Sequence, residues 1–482
     1  MVGSGPGGLQ TSYSLTRLGV KHALISADGA PGGMFQRLPI FQRLISWTKP
    51  FAPAQPGTRA YEWYDWNSLL GEEPSQSALV RQFMDRSYYF PSRAEMEMGL
   101  AAFAEQTGIQ VRYGCMWEST RLVDGGFVLG TSDGEYSCNV VVFAIGATTP
   151  WKPPTPGMDE VPHYTEAKPL RQYEDKQVFV IGKRNSAFEV ADALLPVARR
   201  IYLGSPRPAR ISVVEHAAIG ARARYLQPYE DHVFGGGNLI LDVAIDRIER
   251  LASGYRVHAT GTTRPGSLTF SVDDVVAATG FATPLGDLTK LGVPTLNQGR
   301  FPAITPFWES ASVPGIYFAG SITQASPGLN KYGLSSNSAA VQGFRYNARV
   351  MAEHIALKHF GLQPKHRLIE PAGLVPYLLA EATRAPELWN QRSYLARVVS
   401  LGPEGIFDRG IQPLADFVDS AGEDAVAIAV ETDSSGDIHP AVYIRHMSRV
   451  DEHLMSSNPL LQFDTVDHQR QLEGLLKGYI GR

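Results

Sequence analysis

Gly3, Gly5 and Gly8 stand in the turn Gly3-Ser4-Gly5-Pro6-Gly7-Gly8 with G-x-G-x-x-G spacing, which lets backbone close around the diphosphate of a dinucleotide. The first glycine permits the tight turn, the second lets the diphosphate approach, and the third lets a helix pack on a strand. Leu9, Tyr13, Leu15 and Leu18 follow at helical spacing, and Ala23-Leu24-Ile25 reads as the next strand. Gly3, Ser4, Gly5, Pro6 and Gly8 are therefore candidate cofactor-binding residues, with the anion at the helix N-terminus. An acid that holds the ribose hydroxyls is expected about 20 residues on. Ser26 stands there instead, and Asp28 behind it can either substitute or simply cap the turn. Only Met1 and Val2 precede Gly3, fewer than the roughly five residues of an average strand, so a natural start further upstream is expected.

A second turn has the same design with a difference. Gln177-Val178-Phe179-Val180-Ile181 is a buried-strand run ending at Gly182, and Asn185-Ser186-Ala187-Phe188-Glu189 opens a helix. Arg184 occupies the middle position, where its side chain either crowds a diphosphate or turns outward and clamps one. After the next strand, Ser205 and Arg207, with Arg210 beyond, replace the acid that selects NADH and suit the 2′-phosphate of NADPH; the alternative is that the arginines are solvated surface charge. Strands ending at Gly146, Gly280 and Gly320-Ser321 close the nucleotide-binding halves and add turns available to the cofactors.

These turns need parallel sheets to carry them. The 482 residues exceed one hydrophobic core, and 44% apolar residues with 47 glycines and 33 prolines suit an ordered α/β protein with many turns. The expected architecture is two Rossmann-like domains plus a small α+β appendage. Residues 1–155 and 282–360 form the first domain, residues 156–281 the second inserted within it, and residues 361–482 the appendage. The Pro-rich run Trp151-Lys152-Pro153-Pro154-Thr155-Pro156 marks the entry to the insertion. Apolar spacing over 368–401 suits helices, and 425–430 and 441–445 read as strands. A net charge of -4 gives no basic surplus for nucleic acid. No run approaches the roughly 20 apolar residues of a membrane span, which reads as a cytoplasmic protein. Cys115 and Cys138 form no C-x-x-C pair, so a dithiol relay has no local basis and reduced structural thiols are expected. No metal-ligand spacing occurs, and oligomeric state is not encoded in any recognisable pattern.

The chain resembles the flavin-containing monooxygenase superfamily. The resemblance rests on the two glycine fingerprints, on Gly32-Gly33-Met34-Phe35, and on Phe90-Pro91-Ser92-Arg93-Ala94-Glu95-Met96. Within it, Asp65-Trp66-Asn67-Ser68-Leu69-Leu70, Asn185-Ser186-Ala187-Phe188-Glu189 and Gly343-Phe344-Arg345-Tyr346 are most similar to the endoplasmic-reticulum flavoprotein associated with degradation and its bacterial relatives. The resemblance implies FAD and NADPH as cofactors, a small-molecule substrate, and molecular oxygen as co-substrate. It adds Gly33, Met34 and Phe35 to the FAD-binding candidates. By position it places Thr48, Lys49 and Asn67 near the flavin ring as catalytic candidates, each of which is otherwise an ordinary turn or capping residue. The chain departs from the family pattern at Thr48, where the family has asparagine, at Ser321, where it has an acid, and at His163, the remnant of an aromatic-glycine-histidine signature. His163 reads as a linker histidine. Lys331 and Tyr332 lie in a polar loop that either meets an anionic or amine-bearing ligand or is solvated.

Three functions remain open at this level. An NADPH-dependent monooxygenase, acting on nitrogen or sulfur of an amino-acid-derived metabolite, predicts substrate-stimulated NADPH consumption with an oxygenated product. An NADPH oxidase or flavin reductase without oxygen insertion predicts peroxide in proportion to NADPH. A flavin-binding interaction protein predicts bound flavin that NADPH does not reduce.

Overall fold

A computed structural model describes residues 1–37, 43–212, 220–226 and 237–479. The chain divides into two compact units, one of Met1–Gly33, Ser46–Gly146 and Thr283–Arg482, the other of Met34–Ile45 and Ala147–Ala282.

In the first unit the sequence's short apolar runs assemble a parallel sheet. Val2 bridges Phe143 on one side and Ile25 on the other, Ile25 bridges Arg112, and Ile316–Phe318 pairs with Val141–Phe143. All of these pairings are parallel, the arrangement in which strands are buried on both faces and read as unbroken apolar runs. Val141, Val142, Phe143, Ile316, Tyr317 and Phe318 are accordingly buried. Helix Pro6–Arg17 covers this sheet and packs on helix Val341–Phe360, which buries Tyr346, Met351, Ala352 and Ile355. Ser92 caps helix Arg93–Gln106 in a reciprocal box with Glu95.

Residues 361–482 contribute a six-stranded antiparallel sheet to the same unit. Its order is Arg367–Ile369, Gly405–Pro413, Leu395–Gly402, Ala425–Thr432, Ile438–His446, Arg449–Leu454. Helices Leu374–Arg384 and Val466–Leu476 pack on it through Leu378, Leu379, Leu472 and Leu476. The helical expectation over 368–401 holds for Leu374–Arg384 and Pro386–Asn390 but not for Leu395–Gly402. That segment is a strand paired on both edges, and its apolar run fits either element until non-local partners decide.

The second unit holds another six-stranded sheet. Asp274–Ala277, Gln177–Ile181, Arg200–Ser205 and the start of Leu239–Arg250 are parallel, and Tyr255–Gly261 and Ser267–Val272 continue antiparallel. Helix Asn185–Leu194 packs through Ala187, Phe188, Val190, Ala191 and Leu194. Both units are thus Rossmann-type α/β layers.

One packing detail makes stability depend on pH. His354 stacks on Phe307 with centroids 4.0 Å apart, and burial, with Lys358 adding to it and Glu309 opposing, lowers its pKa to about 4. A histidine depressed in the fold binds its proton more readily when unfolded, so its contribution is complete above about pH 6.5 and is lost as pH falls toward 4. Stability measured by urea unfolding is expected to decline across that window. His354→Phe is expected to flatten the decline by up to one proton; an unchanged slope would contradict the assignment.

Candidate functional site

The opening turn is shaped by backbone contacts. Gly3 has φ +103°, and a Cβ there would lie 2.5 Å from the Ala144 carbonyl oxygen. A Cβ on Gly8 would run into the Gly3 carbonyl, and one on Gly7 would strike the backbone of Gly320. Gly5 differs, because a Cβ at that position meets nothing within 4 Å. It is also the N-cap of helix Pro6–Arg17, with no side-chain cap and no acid in the first turn. The helix therefore offers its terminal amides and positive dipole end to open space, which is the cradle a diphosphate needs. Ser4 donates to Ser26 across 2.8 Å, the Ser26 hydroxyl also receives the Asp28 amide at 3.3 Å, and both serines are buried. Gly33, with φ +58°, lies beside Gly5 and the Asp28 carboxylate. Gly3, Ser4, Gly5, Pro6, Gly8, Ser26, Asp28, Gly33 and Gly320 are brought together around one turn. Ser321 continues the short helix Gly320–Thr323, and Gly146, φ +67°, ends the first unit's second stretch. Met34 instead packs against the core of the second unit, to which Phe35 also belongs.

The flavin-side candidates sit on a short antiparallel ladder. Thr48 bridges Asp65, the Lys49 amide donates to the Tyr64 carbonyl at 2.7 Å, and the Trp66 amide to that of Trp47 at 3.0 Å. Alternation along a strand gives this ladder two faces. On the inner one, Asp65 Oδ1 accepts from the Thr48 hydroxyl at 2.8 Å and from the amides of Asn67 and Ser68 at 3.1 and 3.0 Å. The Asn67 side chain donates to Thr48 Oγ1 at 3.0 Å and to the Ser46 carbonyl at 3.1 Å. Thr48 and Asn67 are buried and fully engaged with each other. On the outer face, the Lys49 ammonium lies 5.7 and 5.5 Å from the ring centroids of Trp47 and Tyr64, and Trp66 stands edge-on to Trp47. Two orphaned atoms, Asp65 Oδ2 and Trp47 Nε1, are buried here without partners.

Behind the ladder stands Arg345. From helix Val341–Phe360 its guanidinium donates to the carbonyls of Asp65 and Ser68 at 2.8 Å each, of Glu62 at 3.2 Å, and to the Tyr346 hydroxyl at 3.0 Å. Tyr346 in turn donates to Glu62 at 2.8 Å. Burial, with Glu387 nearby, pushes the Glu62 carboxyl above its usual range against Arg345 and Arg349. Gln10, on the opening helix, exchanges two hydrogen bonds with the Leu70 backbone, so the ladder's segment is tied to the glycine turn's helix. Asp65 and Arg345 stand in two of the motifs that carry the family resemblance, but spacing gives neither a role; a further signal for Arg345 is its place among the core-facing residues Phe344, Tyr346 and Ala348.

In the second unit Gly182 has φ +139°, and a Cβ there would lie 2.5 Å from the Ala278 carbonyl oxygen. Arg184 is exposed and forms the N-cap of Asn185–Leu194, again with no side-chain cap and no acid in the first turn. Its exposed side chain does not crowd the turn. Asn185 holds the Gly220 carbonyl and the Arg222 amide, and Ser186 lies in the first helical turn. Ser205 ends its strand, Arg207 is exposed beyond it, and Gly280 has φ +91°. His163 is buried, with Nδ1 near Thr165 and Nε2 3.0 Å from the Gly280 carbonyl. Both ring nitrogens are engaged, and burial lowers its pKa; it fixes a turn.

The profile of the pyridine nucleotide-disulphide oxidoreductase family matches residues 1–320. The chain belongs to this family. FAD and NAD(P)H are the cofactors that follow from membership of this oxidoreductase family. It is 26% identical over 457 residues to FAD-dependent oxidoreductase domain-containing protein 2 of Danio rerio, covering 83% of this chain and 64% of that protein. The chain thus spans under two thirds of that relative's length. It is 27% identical over 356 residues to ferredoxin–NADP reductase of Salinispora arenicola, covering 71% of this chain and 92% of that one. Among solved structures, bacillithiol disulfide reductase from Staphylococcus aureus superposes with TM-score 0.56 at 16% identity over 74% of this chain and 97% of its own. The flavin-containing monooxygenase from Stenotrophomonas maltophilia gives the same TM-score at 18% identity, over 74% and 97% of the two chains. At these identities the structural likeness establishes the shared two-domain Rossmann-type fold.

Cys115 and Cys138 are not bonded to each other, Cys115 is buried, and burial pushes the Cys138 thiol up. Lys331, read as facing a ligand or solvent, does neither: its ammonium is taken by Glu431 at 2.9 Å and by Glu452 and Tyr443. Among the described residues no group of three or more metal-ligating side chains occurs, and no helix is long and apolar enough to cross a membrane.

Proposed function

We propose that the protein takes hydride from NADPH onto FAD and uses molecular oxygen to oxidise a small, amino-acid-derived molecule at nitrogen or sulfur. One oxygen atom goes to the substrate and the other leaves as water, with two electrons from NADPH and two from the substrate. The observation that carries this reading is the pair of glycine turns, each opening on an uncapped helix N-terminus, in a chain whose two cysteines form no C-x-x-C pair.

FAD, when bound, supplies the hydride acceptor and the centre at which oxygen reacts. The chain's own residues bind and position. The Gly3–Gly8 turn and the amides of its helix hold the diphosphate, and Ser26 and Asp28 take the ribose side. The Gly182 turn, with Asn185 and Ser186, holds the second diphosphate, while Arg184 closes on it from outside. Lys49 places a positive charge at the flavin ring, and Thr48, Asp65 and Asn67 fix the ladder that carries it. Ser205 and Arg207 receive the 2′-phosphate. Arg207→Glu is expected to raise KM for NADPH about 10- to 100-fold, a charged hydrogen bond being worth about 1.5–3 kcal/mol, and to leave KM for NADH within about twofold. Equal losses with both nucleotides would remove Arg207 from the site.

A second reading, NADPH oxidation with release of peroxide, is favoured by Thr48, whose hydroxyl is committed to Asp65 rather than open to an oxygen ligand. Anaerobic reduction by NADPH followed by admission of oxygen tests both. A transient absorbance distinct from oxidised and reduced flavin, with oxygenated product, supports the first; immediate reoxidation with peroxide equal to NADPH supports the second. Bound flavin that NADPH does not reduce would sink both.

A further inference from the structure

The C-terminal sheet and its helices hold two loops, one beside the Thr48–Asp65 ladder and one that follows the Gly320 turn, whose backbone meets Gly7. The first runs through the short helix Arg59–Tyr64. Arg59 is clasped by Glu381 at 2.7 and 2.9 Å and by Glu387 at 2.8 Å, a bidentate pairing that fixes orientation as well as distance. Burial pushes the Glu381 carboxyl up, but Arg59 and Arg397 outweigh it and hold the group below its usual range. Four residues on, the Trp63 indole donates to the Arg384 carbonyl at 2.9 Å and its ring lies 5.0 Å from Trp389. The other side of the same helix carries the ladder, since the Tyr61 hydroxyl donates to the Lys49 carbonyl at 2.8 Å and Tyr64 lies under the Lys49 ammonium.

The second loop joins the Gly320 turn to helix Val341–Phe360. The Tyr394 hydroxyl donates to Asn330 Oδ1 at 2.9 Å, and the Asn337 amide and side chain are taken by Gln391 at 3.0 Å and the Asn390 carbonyl at 2.6 Å. Lys331 is bound by Glu431, Glu452 and Tyr443. Asn330 and Tyr332 have φ +49° and +54°, a left-handed conformation that tyrosine rarely adopts and that only surrounding contacts maintain. The anchors on either side leave Tyr332 outward, 55% exposed.

Resting on the reading that FAD occupies the opening turn, we propose that residues 361–482 set the flavin-side geometry, with Arg59 and Lys331 as positioning residues. The C-terminal part then acts on the reaction without touching the reacting atoms, by fixing where Lys49 and the loop that follows Gly320 stand.

Full-length Lys331→Met and Glu387→Gln test this against wild type, with Lys331→Arg as the conservative control. Both test variants are expected to keep FAD in full amount, to alter the visible circular dichroism of the flavin, and to slow its anaerobic reduction by NADPH. The slowing is about 10- to 100-fold, the scale of a misplacement near 1 Å. Lys331→Arg should restore both signals. Variants that melt lower yet keep wild-type flavin dichroism and reduction rate overturn the inference alone. Wild-type protein that takes up no FAD overturns the cofactor reading and this inference with it. Should Glu387→Gln fail to fold, the more accessible Lys331→Met decides.

Discussion

Gly5→Val is expected to give a folded protein that has lost most of its affinity for FAD. The two halves of that expectation come from one observation. Gly5 has ordinary extended backbone, φ -69° and ψ 177°, so a branched side chain is allowed there. Its Cβ would enter open space, so the substitution leaves the protein's own packing unchanged and the melting temperature without FAD should hold. Under the proposed cofactor placement, a diphosphate is what fills that space. Forcing extra carbon into such close contact costs about 1–3 kcal/mol, a roughly 10- to 100-fold rise in Kd. Fluorescence titration of apoprotein with FAD measures it. Gly8→Val is the control with opposite logic, because its Cβ collides with the Gly3 carbonyl whatever is bound, and it should destabilise the apoprotein itself. If Gly5→Val binds FAD like wild type, the diphosphate does not lie over this turn.

How much was legible in the sequence divides along contact range. The glycine turns and their helices are written within a dozen consecutive residues, where spacing alone fixes backbone geometry, and the sheets they serve follow from short apolar runs. The direction of Arg184 was not legible, because nothing local decides between an inward and an outward rotamer. Lys331 was readable as a charge but not as a bound one, since its partners lie 100 and 121 positions away. Leu395–Gly402 reads as helix or strand until Gly405–Pro413 and Ala425–Thr432 supply its edges. Thr48, Lys49 and Asn67 were named from resemblance. What spacing could not convey is that Thr48 and Asn67 face inward to Asp65 while Lys49 faces outward, a division made by the ladder pairing.

Arg345→Met is the substitution expected to cost most. The side chain is among the largest fully buried ones, and its donors serve carbonyls 280, 277 and 283 positions away. Methionine fills similar volume but donates nothing, so the carbonyls of Asp65, Ser68 and Glu62 lose their donor inside the protein. It also leaves Glu62, whose carboxyl burial already disfavours, without its buried countercharge. Removing one partner of a buried charged network costs about 3–5 kcal/mol, and at about 1–2 °C per kcal/mol for a unit of this size the melting temperature should fall by roughly 5 °C. The loss should not be uniform in kind. Adding Glu62→Gln removes the stranded charge, so the double variant should recover part of the deficit, whereas Glu62→Gln alone should change stability little. A double variant whose loss equals the sum of the two single losses would show that Arg345 and Glu62 are not energetically coupled. The ladder would then be held by the carbonyl contacts alone, and the charge of Arg345 would be incidental to its place beneath Thr48 and Lys49.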